Sequence, residues 1–267
     1  MAFASRFLKM KPVSDVPADE APPPYEAKPR NSPVPETRTP RPPSPRPPMP
    51  PPPQVARQFP PAFNVYTQSF SRTMTLGEHQ NQPSYAMSLH SGLSSSPPIV
   101  LHSGPTNTSP PLASVEYHSF STRMSIMLPP APIGSPGGAP VIDLEPKRDF
   151  PSSSYYFAMG VGPNCERLEQ FHWRPSSGEA IAMLDGRSRG WKLIRLAQSA
   201  GPGAFKGSDG KEVVAVWADA QISLSKQAKF AFIGSGLTGE LGERWAVMAV
   251  ISGLAIFERE RQRKHNG

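Results

Sequence analysis

The residues best suited to chemistry in this chain form a recognition motif rather than a catalytic set: Pro22, Pro23, Pro24 and Tyr25. Consecutive prolines preset a polyproline II helix, so such a segment loses little entropy when it docks. Pro22 and Pro23 then fit between two aromatic rings and the Tyr25 ring fills a second pocket, the way PPxY ligands meet WW domains. A tyrosine that merely interrupts a proline-rich linker would look the same, and with 36 prolines one PPxY can arise by chance. The exposed setting and the Glu26 that follows favour a working motif.

Catalytic signals are weaker. GSGLTG (234–239) follows the apolar KFAFI and opens a helix, and Glu258 lies 19 residues beyond Gly239. That spacing mimics a dinucleotide-binding turn, with glycines for phosphate approach and a carboxylate for the ribose. Only nine residues follow Glu258, and alternating strand–helix units are missing upstream, so a plain strand-to-helix turn is the better reading. GxxxxGK[ST] and GxSxG are absent. His79, His90, His102, His118, His172 and His265 show no HExxH spacing. Cys165 is the single cysteine, which excludes an internal disulfide and fits a reducing compartment. Beside Glu166 it reads as a small core residue rather than a nucleophile. The expectation is no catalytic residue, no cofactor and no metal.

Charge points to an anionic partner. Lys and Arg number 28 against 21 Asp and Glu, for a net charge of +7. Arg6, Lys9 and Lys11 interleave with Phe3, Phe7, Leu8 and Met10, a short amphipathic pattern suited to anionic lipid; a disordered tail is the alternative. Arg259, Arg261, Arg263 and Lys264 close a predicted C-terminal helix, where they complement the macrodipole or meet a partner equally well. The longest apolar run, Trp245 to Phe257, has 13 residues, short of the ~17–25 that a transmembrane helix needs. There is no signal-peptide core, and Ala2 stands where myristoylation needs glycine. A soluble or peripheral protein is expected.

Three parts must position these residues. Residues 1–62 hold 20 of the prolines, and their composition predicts a disordered polyproline arm. Residues 63–111 read as a low-complexity Ser/Pro-rich region with short strand-like repeats. QSFSRTMTL (68–76) matches HSFSTRMSI (118–126), and SLHSG (88–92) matches VLHSG (100–104). Phe70, Met74 and Leu76 pair with Phe120, Met124 and Ile126 on one strand parity. Both a duplication and a chance likeness of Ser-rich strands remain open. Residues 112–267 read as the globular domain, of α+β class: an antiparallel sheet packed with a few helices. The predicted elements are a strand over Val115–Met127, helices at Glu166–His172 and Gly178–Leu184, strands at Trp191–Leu196, Val213–Leu224 and Lys229–Ile233, and a helix over Glu240–Arg263. The loop GPGAFKGSDG (201–210) should project from the sheet end with Ala204 and Phe205 as its only apolar side chains. A lone exposed Phe needs no function; alternatively it docks on a second copy.

The start MAFASRFLKMK, the element PPPYE at 22–26 and the proline arm together resemble the matrix proteins of rhabdoviruses, the vesiculovirus branch especially. GWKLIRLAQSAGPGAF (190–205) is similar to that family's strand and exposed loop, and LGERWAVMAVISGLAIFERER (241–261) to its late helix. The likeness covers residues 1–26 and, in patches, 115–261; the arm is longer here, lysines are fewer at the start, and 63–111 and 129–165 have no counterpart. It implies an α+β core and a structural virion protein. Such a protein coats the inner membrane face through anionic lipids, condenses the viral nucleocapsid, and self-associates through the loop with Ala204 and Phe205. It drives budding by recruiting a host WW-domain ubiquitin ligase through PPxY. The implied locations are the virion, the host cytoplasm, the inner face of the plasma membrane and the host nucleus. The rival expectation is a cellular adaptor for a WW-domain ubiquitin ligase; a dinucleotide-binding enzyme ranks third.

Overall fold

A computed structural model describes residues 58–266, apart from 69–70, 92–93, 119–121, 150–151, 186, 198–203, 208 and 221–222. The motif at Pro22–Tyr25, the amphipathic start and both repeat phenylalanines, Phe70 and Phe120, lie outside these residues. Twelve strands follow in order: β1 (Ala62–Thr67), β2 (Thr73–Gly77), β3 (Tyr85–Leu89), β4 (Ile99–His102), β5 (Pro111–Tyr117), β6 (Met124–Met127), β7 (Val141–Asp149), β8 (Ser152–Val161), β9 (Arg167–Ser176), β10 (Gly190–Arg195), β11 (Glu212–Asp219) and β12 (Lys226–Phe232). The helices are α1 (Glu179–Ala182), α2 (Ser235–Thr238) and α3 (Glu243–Asn266).

Each strand pairs antiparallel with the next, and β12 returns to β1, closing the sheet into a barrel. At the seam Phe63 lies opposite Phe230 and their rings stack at 5.0 Å. Register shifts at Val65/Tyr66, Leu101/His102 and Leu193/Ile194 mark bulges, the local bends by which a sheet curls until no edge is left.

Closure needs a filler. Eight strands enclose a space that side chains alone fill; twelve enclose more, and here α3 occupies it. From Trp245 to Phe257 the helix is apolar nearly all round, and twelve of these residues are fully buried, the pattern of a helix inside a core rather than on a sheet. Gly253 sits where barrel rings converge: a Cβ there would stand 3.2 Å from Phe230 and 3.4 Å from Trp173 and Trp217. The Trp173 indole N–H donates to Ser252 Oγ at 2.9 Å, tying wall to plug.

The α+β expectation is therefore corrected: the protein is a closed antiparallel barrel with few helices. The physical reason is that α3 was assigned to the outside of an open sheet, while its all-round apolarity suits only an interior. Residues 63–111, set outside the core, supply β1 to β4 and the start of β5; their inward residues Met74, Leu76, Met87, Ile99 and Leu101 are buried. Polar residues at outward positions had masked the alternation. Glu166–His172 lies largely in strand β9, and Val115–Met127 is two strands, β5 and β6. The repeat parity does hold: Met74, Leu76, Met124 and Ile126 all point into the core.

Outside the wall a second cluster forms where Ala180, Ile181 and Leu184 cover Val213, Val216, Ala218 and Ile233. Strand β11 is thus buried on both faces.

Candidate binding surfaces

The described candidates from sequence sort quickly by geometry. Ala204 and Phe205 are both half-buried. Phe205 packs against the second cluster, its carbonyl accepts the Val213 N–H at 2.8 Å, and the Lys206 backbone pairs with that of Glu212 in an isolated antiparallel bridge. The apolar part of this loop lies back along β11.

The glycines of 234–239 are tied up in packing. A Cβ on Gly236 would collide with the Val214 carbonyl oxygen, and Gly234 and Gly239 take φ of 54° and 83°, conformations that favour glycine. Glu258 lies on α3, 3% exposed, and accepts two hydrogen bonds from Arg261 at 2.7 and 3.0 Å. His102 is buried, with Nε2 at 2.9 Å from Ser88 Oγ and Nδ1 at 2.8 Å from the Ser109 carbonyl. The His172 ring stacks on Tyr156 at 3.7 Å. Cys165 is buried with φ 53°. Among the described residues no three His, Cys, Asp or Glu side chains gather as metal ligands.

Three arrangements emerge that sequence reasoning missed. The first is a buried clasp near the start of the plug. Arg195 donates from Nε and Nη2 to both carboxylate oxygens of Glu169 at 2.6 and 2.7 Å, and from Nη1 to Ser235 and Glu240 at 3.1 Å. Glu212 Oε1 in turn accepts the Ser235 backbone N–H at 2.7 Å. The Glu169 hydrogen bonds raise the Arg195 pKa above its already high range against the opposing effect of burial, so the charge is permanent. The clasp joins β9, β10 and β11 to the segment that leads into α3. Its role is to hold the plug's entry.

The second is an apolar cleft of about 590 Å³, counted to its open mouth, lined by Phe59, Pro163, Phe232, Leu241 and Trp245. It lies beside the N-terminal end of α3.

The third is on the outer wall. Trp173, Trp191 and Leu193 face inward, so Arg174 and Lys192, between them in sequence, face outward; the register places these two cations directly opposite each other. Partial burial and the neighbouring Arg174 guanidinium hold the Lys192 ammonium below the usual lysine range, with Asp209 pulling the other way. Arg174 pairs with Asp209. Farther along, Lys147 stands over the Tyr156 ring, 5.6 Å from its centroid. The outward parity of Arg174 and Lys192 within WKLIR and HWRPS was the legible signal.

No family model, curated protein or solved structure matches this chain.

Proposed function

We propose that this chain is a non-catalytic adaptor. Its arm offers Pro22–Tyr25 to a WW-domain ubiquitin ligase, and its barrel is the folded half that docks on an anionic surface. One observation carries the barrel's part in this reading: α3 fills the lumen. A barrel of this size otherwise holds its ligand inside; with Trp245 to Glu258 buried there, the outer wall is left to meet partners. That wall carries exposed or half-buried cations, among them Arg174, Lys192 and Lys206, in keeping with the net charge of +7.

The matrix-protein reading keeps its motif, PPPYE, and loses its core, since an α+β domain was part of that resemblance and the barrel overturns it. The adaptor reading asks nothing of the fold beyond a stable platform, and it comes first for that reason. Membrane contact through Arg6, Lys9 and Lys11 belongs to both readings.

The deciding experiment titrates a WW domain into the full chain and into Tyr25→Ala. The ring is the pocket filler, so binding should be lost in the variant while its thermal transition stays in place. Equal affinity for both proteins would overturn the reading.

A further inference from the structure

Beside the outward face of β10 runs an open groove of about 1050 Å³, counted to its mouth, between the chain entering α1 and the β10–β11 loop. Its charged lining residues are Lys192, Lys206 and Glu179. Neither ammonium has a carboxylate within ion-pairing distance among the described residues. Lys192 Nζ lies against Gly207: a Cβ at that glycine would stand 3.3 Å from it. A side chain at this position would crowd both the ammonium and Asp209 Oδ1, 3.0 Å from the same point. Arg174, opposite Lys192, is engaged by Asp209, whose other oxygen accepts the Lys211 backbone N–H at 3.3 Å. Arg174 thus adds a fixed positive neighbour, and Asp209, engaged by Arg174, lies near Lys192 without pairing with it. Ser177 also lines the groove and carries a hydroxyl able to donate.

Partial burial and repulsion from the Arg174 guanidinium disfavour the Lys192 ammonium, and the nearby Asp209 offsets this only in part. An anion entering the groove relieves that repulsion and gains charge-assisted hydrogen bonds. Two ammoniums suit a group with close to two negative charges, and a phosphate monoester carries about −1.5 to −2 at pH 7. A carboxylate brings half that charge and one acceptor fewer.

We propose that this groove binds a phosphate monoester, with Lys192 and Lys206 as its cationic ligands and Ser177 as a hydroxyl donor. The inference rests on the reading of the barrel as the docking half and gives that reading a place and a ligand chemistry. The group can be free in solution or the headgroup of a lipid, and the test separates these sources.

The full chain and the double variant Lys192→Ala/Lys206→Ala are titrated with inorganic phosphate by calorimetry. Both are then sedimented with phosphatidylcholine vesicles, plain or carrying phosphatidic acid, a monoester lipid. Expected is measurable phosphate binding that weakens about tenfold or more in the variant, with unchanged thermal stability in both proteins. If phosphatidic acid vesicles also lose the variant, the lipid is a source; if only free phosphate responds, the ligand is soluble. Binding of neither probe, or binding equal in wild type and variant, overturns the site. Vesicle binding that persists equally in the variant, with phosphate binding also unchanged, retires the groove and leaves the docking reading standing through another surface. Loss of WW binding in Tyr25→Ala is read independently, so the two failures are distinguishable.

Discussion

The two sides of the barrel lining are built from different residues. From β1 to β6 the inward positions are mostly aliphatic or methionine: Val65, Met74, Leu76, Met87, Ile99, Leu101, Val115, Met124 and Ile126. From β8 to β12 they are largely aromatic: Tyr155, Phe157, Phe171, Trp173, Trp191, Trp217, Phe230 and Phe232. The plug's backbone runs closest to β5, β6 and β8, and on β5 the inward residues are as small as Ala113 and Val115. On the aromatic side rings bridge wall and plug: Trp191 stacks on Trp217 at 6.1 Å, and Trp217 meets Phe257 of α3 edge-on at 5.8 Å.

This contrast sets an order of mutational effects. The largest belongs to the aromatic side. Trp173→Ala empties the space beside Gly253 and removes the donor to Ser252 Oγ, so it should cost about 3–5 kcal/mol. Urea denaturation would show a midpoint far below wild type; a shift no larger than that of a surface variant would mean that the rings do not bridge wall and plug.

On the aliphatic side the loss is smaller. Ile126→Val removes one methylene opposite Val115, and the expected cost is ~0.5–1.5 kcal/mol. A penalty equal to that of Trp173→Ala, measured by the same denaturation, would erase the distinction between the two sides.

The smallest effect lies outside the wall. Asp185 accepts from Lys229 at 2.6 Å and neighbours Lys226, and the Lys229 hydrogen bond holds its carboxyl below the usual carboxylate range. A depressed carboxylate pKa stabilises the fold above its unfolded value, and that stability is lost as pH falls through the folded value. Asp185 is close to half exposed and solvent screens the pair, so Asp185→Asn should cost roughly 0.2–1 kcal/mol at neutral pH. Asn tolerates the φ of 56° at this position. The gap between variant and wild type should close in strong acid; a gap that widens there would show that the carboxylate is not the stabilising partner.

Several elements were legible before any fold was known. GWKLIR and EVVAVWAD alternate or run apolar as strands must, and β10 and β11 form there. Met74 and Leu76, matched with Met124 and Ile126, shared a parity that β2 and β6 use. Glu166–His172 misled because Glu166, Arg167, Leu168, Glu169 and Gln170 are good helix formers, and only pairing with β8 and β10 makes the segment a strand. The Arg195 clasp was illegible for another reason: Glu169, Glu212 and the Ser235–Glu240 stretch come from three separate segments, and no local spacing brings them together. The groove at Lys192 shares that property, since Lys206 reaches it only through the course of the loop.

By itself the sequence determined the local terms: the PPPY motif, the net positive charge, the parity of several strands, and a long last helix with an apolar run from Trp245 to Phe257. These follow from composition and from periods of two or 3.6, which act over a few residues. Only the tertiary structure decided that the sheet closes, that α3 passes inside it, and that Arg174 and Lys192 meet on its outer face. Closure depends on β12 finding β1 across more than 150 residues, and the helix enters because twelve strands leave a space that water or an apolar plug must fill. Burial of about 25 cal/mol per Å² favours the plug, a choice made by the whole surface at once and written in no single segment.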